Sequence, residues 1–135
     1  MAANNSNGVP GSLAGAGSTV VSVNDLTLTA ADLPTNSFGF FLVSQTQAFV
    51  VNPGGSAGNL CLGGGIGRYV GPGQIQNSGS SGLVDLTLDL TMIPTPTGLV
   101  AVAAGDTWNF QCWYRDAVGG QATSNFTDGV EIVFQ

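Results

Sequence analysis

The side chains able to do chemistry are few: eight acids, two arginines and two cysteines, with no histidine and no lysine. Without imidazole there is no Ser-His-Asp or Cys-His relay and no imidazole-ligated zinc or iron. Without lysine there is no Schiff base and no P-loop. Carboxylate chemistry is what remains. Asp85 and Asp89 share one strand parity, with Thr87 between them. At about 3.3 Å per residue their Cα atoms would stand roughly 13 Å apart, too far to act across one bond. They read as a solvated face. Asp106, Asp116 and Asp128 fall at strand ends or loops, where converging loops can give calcium its oxygens. The D-x-[DN]-x-[DN]-G spacing is absent, so no metal and no cofactor is expected, and no catalytic residue is assigned.

The two cations, Arg68 and Arg115, each adjoin a tyrosine. Pairing with an aspartate or stacking on a ring suits a lone arginine better than clamping a substrate carboxylate. Gly63-Gly64-Gly65-Ile66-Gly67 has a phosphate-loop look, but no helix follows it, and turn chemistry explains the glycines. Trp113 invites function most. It falls on the polar parity with Asn109, Gln111 and Arg115. An exposed ring there would offer apolar contact to pyranose C–H groups while the amides bond the hydroxyls. The competing reading packs Trp113 beneath a loop of segment 52–82. Asn125-Phe126-Thr127 is also a glycosylation sequon.

Cys61 and Cys112 fit one disulfide or two buried thiols. Cys112 shares its parity with Trp108, Phe110 and Tyr114, so it should face the core and meet Cys61 there. Such a bridge would close a loop of about 51 residues and contribute on the order of 4 kcal/mol.

The elements that must position these groups are strands. Period-two spacing runs through Thr19–Val23, Leu26–Thr29, Phe38–Val43, Ala48–Val51, Leu83–Ile93, Leu99–Ala103, Thr107–Arg115 and Val130–Phe134. Ser44–Gln47 reads as a hairpin turn, and the change of parity between Val23 and Leu26 as a bulge or break. Pro53–Gly82 is loop-rich, with room for short strands near Ile66–Val70 and Gln74–Asn77. No helix of three turns is visible. The fold class is therefore all-β: an antiparallel sandwich of about seven to nine strands, fibronectin-III or Ig-like, with a closed barrel as the rival. Length supports one domain, residues 18–135, preceded by a Gly/Asn/Ser/Ala-rich arm or linker over 1–17.

Several strings carry a resemblance. They are Asn24-Asp25-Leu26-Thr27-Leu28-Thr29-Ala30, Phe38-Gly39-Phe40-Phe41-Leu42-Val43-Ser44, Gly58-Asn59-Leu60-Cys61-Leu62-Gly63-Gly64 and Ile66-Gly67-Arg68-Tyr69. To these add Thr107-Trp108-Asn109-Phe110-Gln111-Cys112-Trp113-Tyr114-Arg115-Asp116 and Ser124-Asn125-Phe126-Thr127-Asp128. From about Asn4 to Gln135 the chain resembles a domain repeated in large secreted and surface proteins of planctomycete-like bacteria. The resemblance implies a secreted β-rich module and supplies no catalytic residues. Relatives often carry an N-terminal cysteine that Asn4–Gly8 lacks.

Composition points the same way. Charged residues make up 7% of the chain, against about 25% in an average soluble domain. Solubility must come from 11 Ser, 12 Thr and 10 Asn, a surface commoner outside cells. Residues 1–5 lack the basic start and apolar stretch of an export signal, so the expected state is a mature extracellular or cell-surface domain whose signal has been removed. A net charge of −6 disfavours nucleic acid and anionic membranes, and no apolar run is long enough for membrane insertion. The expected function is a non-catalytic structural module that associates with copies of itself or neighbouring surface domains through strand edges and its N-terminal arm. A carbohydrate-binding module using Trp113, Asn109, Gln111 and Arg115 is the alternative, with glycans as partners.

Overall fold

The computed structural model describes residues 2–135; Met1 lies outside them. In chain order the first strands are β1 (Ser12–Ala16), β2 (Thr27–Ala31), β3 (Phe38–Ser44), β4 (Thr46–Val51) and β5 (Asn59–Gly63). Next come β6 (Gly67–Arg68), β7 (Gln76–Asn77), β8 (Val84–Thr87), β9 (Ile93–Thr95) and β10 (Gly98–Val100). The chain closes with β11 (Thr107–Val118), β12 (Gln121–Phe126) and β13 (Val130–Val133). A single 3-10 turn at Pro53–Gly55 is the helical content among the described residues.

Every strand pair is antiparallel. A central sheet runs β12-β11-β3-β6, with β13 also on β11 and β7 also on β3. Its long strand β11 sets Phe110 opposite Val43, Cys112 opposite Phe41 and Tyr114 opposite Gly39. That parity sends Phe41, Val43, Phe110, Cys112 and Tyr114 into one core against Leu28, Ala30 and Val84 of a second sheet, β1-β2-β8. Each large apolar side chain so buried contributes about 1.5–3 kcal/mol. The other face of the central sheet carries a smaller core, in which Leu42 and Phe126 meet Leu62 of β5. The β4-β5 pair thus forms a third layer. The class is all-β and sandwich-like, with thirteen short strands among the described residues rather than seven to nine.

The excess has local causes. Leu83–Ile93 reads as one strand, but its ladder with β2 ends at Thr87 and Ile93 already belongs to β9. Beyond it, Asp89 Oδ1 accepts the Thr91 N–H and hydroxyl, and Met92 N–H donates to the Asp89 carbonyl, closing a turn. Asn24 Oδ1 accepts the Leu90 N–H across that turn. Ser44–Gln47 is not a hairpin. The chain leaves the central sheet at Ser44 and enters β4 after Gln45 alone, with Ser44 Oγ accepting the Thr46 N–H and donating to the Gly63 carbonyl. Thr19–Val23 forms no ladder; Gln135 N–H donates to the Thr19 carbonyl and Val21 N–H to that of Gln135. At Gly67 a Cβ would overlap the Pro94 carbonyl, so backbone approach requires glycine there.

Two expectations are corrected. Residues 12–16, expected within a loose arm, form β1, paired along its whole length with β2, with Leu13 buried. Small residues mask a strand that side-chain pattern alone does not announce. The Cys61–Cys112 bridge is also absent, and both thiols are free. The cause is the alternation of β11: Cys61 lies beside Gln111, whose Oε1 accepts its N–H, whereas Cys112 points through the opposite face into the main core.

Candidate binding face

The outward row of β11 holds Asn109, Gln111, Trp113 and Arg115, and the structure divides it. Gln111 is fully buried, its Oε1 taking the Cys61 N–H at 2.9 Å and its Nε2 donating to the Asn59 and Thr127 carbonyls at 2.9 and 2.7 Å. Asn109 is buried too, donating to the Ser44 carbonyl and accepting from Gln47 Nε2. Both amides tie the third layer to the central sheet and are unavailable to a ligand. They therefore do not join Trp113 in a sugar platform.

Trp113 is half-buried, with its ring 5.1 Å from that of Phe40. Register explains the neighbours: Trp113 lies opposite Phe40 on one side and Phe126 on the other. With Leu60 and Ile66 they line an open cleft of about 410 Å³. Segment 52–82 therefore forms one wall of this cleft, through Pro53, Leu60 and Ile66. The guanidinium of Arg115 lies over the Trp113 ring at 5.5 Å, a cation–π distance. Arg68, opposite Leu42 on β6, lines the same cleft. Both cations of the chain are exposed, and both flank Trp113 on this one face.

Adjoining the cleft is β4, which sequence alternation did not mark as unusual. All six of its residues are exposed, with Phe49 62% and Val51 63% accessible. A register shift between Gln47 and Val50 breaks its pairing with β5, and among the described residues β5 is its only ladder partner. From Leu33 to Gly67, a span that includes β3, β4 and β5, there is no charged residue.

The loop aspartates do not converge. Asp106 Oδ2 accepts the Ala103 N–H, Asp116 Oδ2 the Ser6 N–H, and Asp128 Oδ1 the Leu13 N–H. Among the described residues no three His, Cys, Asp or Glu side chains gather where they could hold a metal. Instead, Asp116 and Asp128 bind the backbone of the N-terminal segment. Asn125 adds to this, donating to the Ala3 and Asn4 carbonyls, and Asn5 Nδ2 reaches the Tyr114 hydroxyl at 3.4 Å. Asn125 is fully buried, so the sequon is closed to modification in the folded chain.

A larger groove of about 620 Å³ lies elsewhere, between Ser44–Thr46, Thr95–Thr97 and Trp108, with Asp106 as its one charge. Trp108 Nε1 and the Tyr69 hydroxyl are buried without hydrogen-bond partners. Burial, reinforced by the negative charge of Asp89, pushes the Tyr69 phenol well above its ordinary range. No helix of the described residues is long and apolar enough to cross a membrane. Compared with known protein families, curated proteins and solved structures, the chain matches none.

Proposed function

We propose that this chain is a non-catalytic structural module of a cell surface or extracellular matrix, associating with copies of itself or with neighbouring domains. The observation that carries the reading is β4, an uncharged strand exposed along its whole length and paired on one side only. Monomeric proteins guard such edges with lysine, proline, inward charge or a bulge, and β4 has only the register shift between Gln47 and Val50. The resemblance to repeated secreted domains supports the same reading. A sugar-binding role keeps Trp113 but has lost both of its amides to interior bonds.

Sedimentation velocity over a concentration series tests the proposal. The expected result is reversible self-association at about micromolar to millimolar concentration, weakened about tenfold or more by Phe49→Lys. A chain that stays monomeric to about millimolar concentration overturns it. Glycan binding lost in Trp113→Ala would favour the carbohydrate module instead.

A further inference from the structure

We propose that copies of this chain pack head to tail, the Arg68–Trp113–Arg115 face of one copy against the acidic β2–β8 face of the next. This assembly presupposes the self-association proposed for the chain and adds to the β4 edge a second pair of surfaces.

Three observations carry it. First, the layers are stacked so that two outer surfaces point in opposite directions. The central sheet gives one face to the main core with β1-β2-β8 and the other to the Trp113 cleft and the β4-β5 layer. The cleft and the outward face of β2 and β8 are therefore at opposite ends of the stack.

Second, the charges are sorted between those ends. The cleft side holds both arginines, with one exposed acid, Glu131, on the same face at the far end of the row, accepting from Gln47 of β4. The far sheet and its flanking turns hold Asp25, Asp32, Asp85 and Asp89, half of the chain's acids, all exposed and with no cation among them. A molecule of net charge −6 repels its own copies in most orientations, and the one that sets the cationic cleft on the acidic sheet is complementary.

Third, the apolar chemistry matches. Outward positions on the β8 run are Leu83, Asp85 and Thr87, with Leu83 46% exposed. An exposed leucine one turn of the pleat from a carboxylate fits a cleft of aromatic rings flanked by guanidinium groups. Because the two surfaces differ, the contact is heterologous. Such contacts repeat without closing unless the rotation happens to form a ring, so the product is an open linear array.

The test is charge exchange in the full chain, followed by sedimentation velocity and electron microscopy. Arg115→Glu and Asp85→Arg each alter an exposed side chain, and circular dichroism confirms the fold of each. Arg68→Glu serves as a second variant of the cationic side. The expected result is that each variant alone associates at least about tenfold more weakly, and that a one-to-one mixture of Arg115→Glu with Asp85→Arg regains association. Raising salt from 0.1 to 1 M shortens the screening length from about 10 to about 3 Å and should weaken the wild-type contact in parallel. If the wild type associates, but the reversals change nothing while Phe49→Lys disperses it, the head-to-tail contact is wrong and the structural-module reading stands. Reversals that weaken association without rescue in the mixture also overturn the contact. A wild-type chain that never associates overturns both.

Discussion

Gln111 shows how one side chain can hold two layers together. Truncating it to alanine leaves the Cys61 N–H and the Asn59 and Thr127 carbonyls without their buried partner. Urea denaturation of Gln111→Ala should give a loss of about 3 kcal/mol, since each orphaned buried group costs about 1–3. Cys112, on the next position of the same strand, faces the main core, and burial pushes its thiol up to about 12. A thiol reagent at pH 8 should therefore label the native chain at Cys61 and reach Cys112 only after unfolding. Burial likewise pushes the Tyr114 phenol up to about 12, with the negative charge of Asp116 adding to it against the hydrogen bonds from Asn5 and Gly11. Unfolded thiols and phenols release protons near pH 9 to 10 that the folded chain keeps. The stability they contribute is whole below about pH 9 and is lost as pH rises towards about 12. Denaturant midpoints measured from pH 8 to 11 should fall. The facing of Gln111, Cys112 and Trp113 was legible from alternation alone. What covered the outward row was not, because the layer that buries Asn109 and Gln111 comes from glycine-rich sequence with little pattern.

Among the elements, the N-terminal segment departed most from its sequence reading. Val9 to Gly17 contains mostly small residues, so its strand shows no alternation, and its anchors are backbone atoms that composition cannot reveal. The side chains that hold them come from two of the six strings that carry the resemblance: Asp116 and Tyr114 from one, Asn125 and Asp128 from the other. The markers thus hold the N-terminal segment in place. Replacing Asp116 by alanine removes a charge-assisted bond to the Ser6 N–H and should cost about 2 kcal/mol. Hydrogen exchange should quicken locally, at residues 5–13, before the rest of the chain. A uniform rise across β11 and β3 would show that the segment does not open separately. The turn at Asp89 was hidden by a different cause: Leu88 and Leu90 keep the alternating burial of a strand after the ladder has ended.

At the scale of the whole molecule, fold class followed from period-two spacing and the lack of any helical period, and that part was legible throughout. Layer number was not. A strand that passes from one sheet to another after the single residue Gln45 reads like a hairpin, and the Ser44 hydroxyl bridging Thr46 and Gly63 fastens the change of sheet. Nor could spacing place Arg68 beside Trp113, since their neighbourhood depends on β3 lying between β6 and β11. The outcome is a molecule with both arginines beside an aromatic cleft on one side and four exposed aspartates on and around the sheet opposite. Light scattering at rising ionic strength should show attraction between copies weakening rather than strengthening. For a uniformly acidic particle of the same net charge the opposite trend is expected, because screening would relieve repulsion.

The same two arginines also make the fold readable by protease. Trypsin can cut this chain only after Arg68 and Arg115, into fragments 1–68, 69–115 and 116–135. Both bonds adjoin ladder residues, Arg68 opposite Leu42 and Arg115 opposite Ser124, and cleavage needs several residues extended in the enzyme's cleft. Digestion at low protease should therefore follow the population of opened molecules. Nicking after Arg68 while Arg115 stays intact would mean that the two-residue strand β6 lifts off by itself, and with it one wall of the Trp113 cleft.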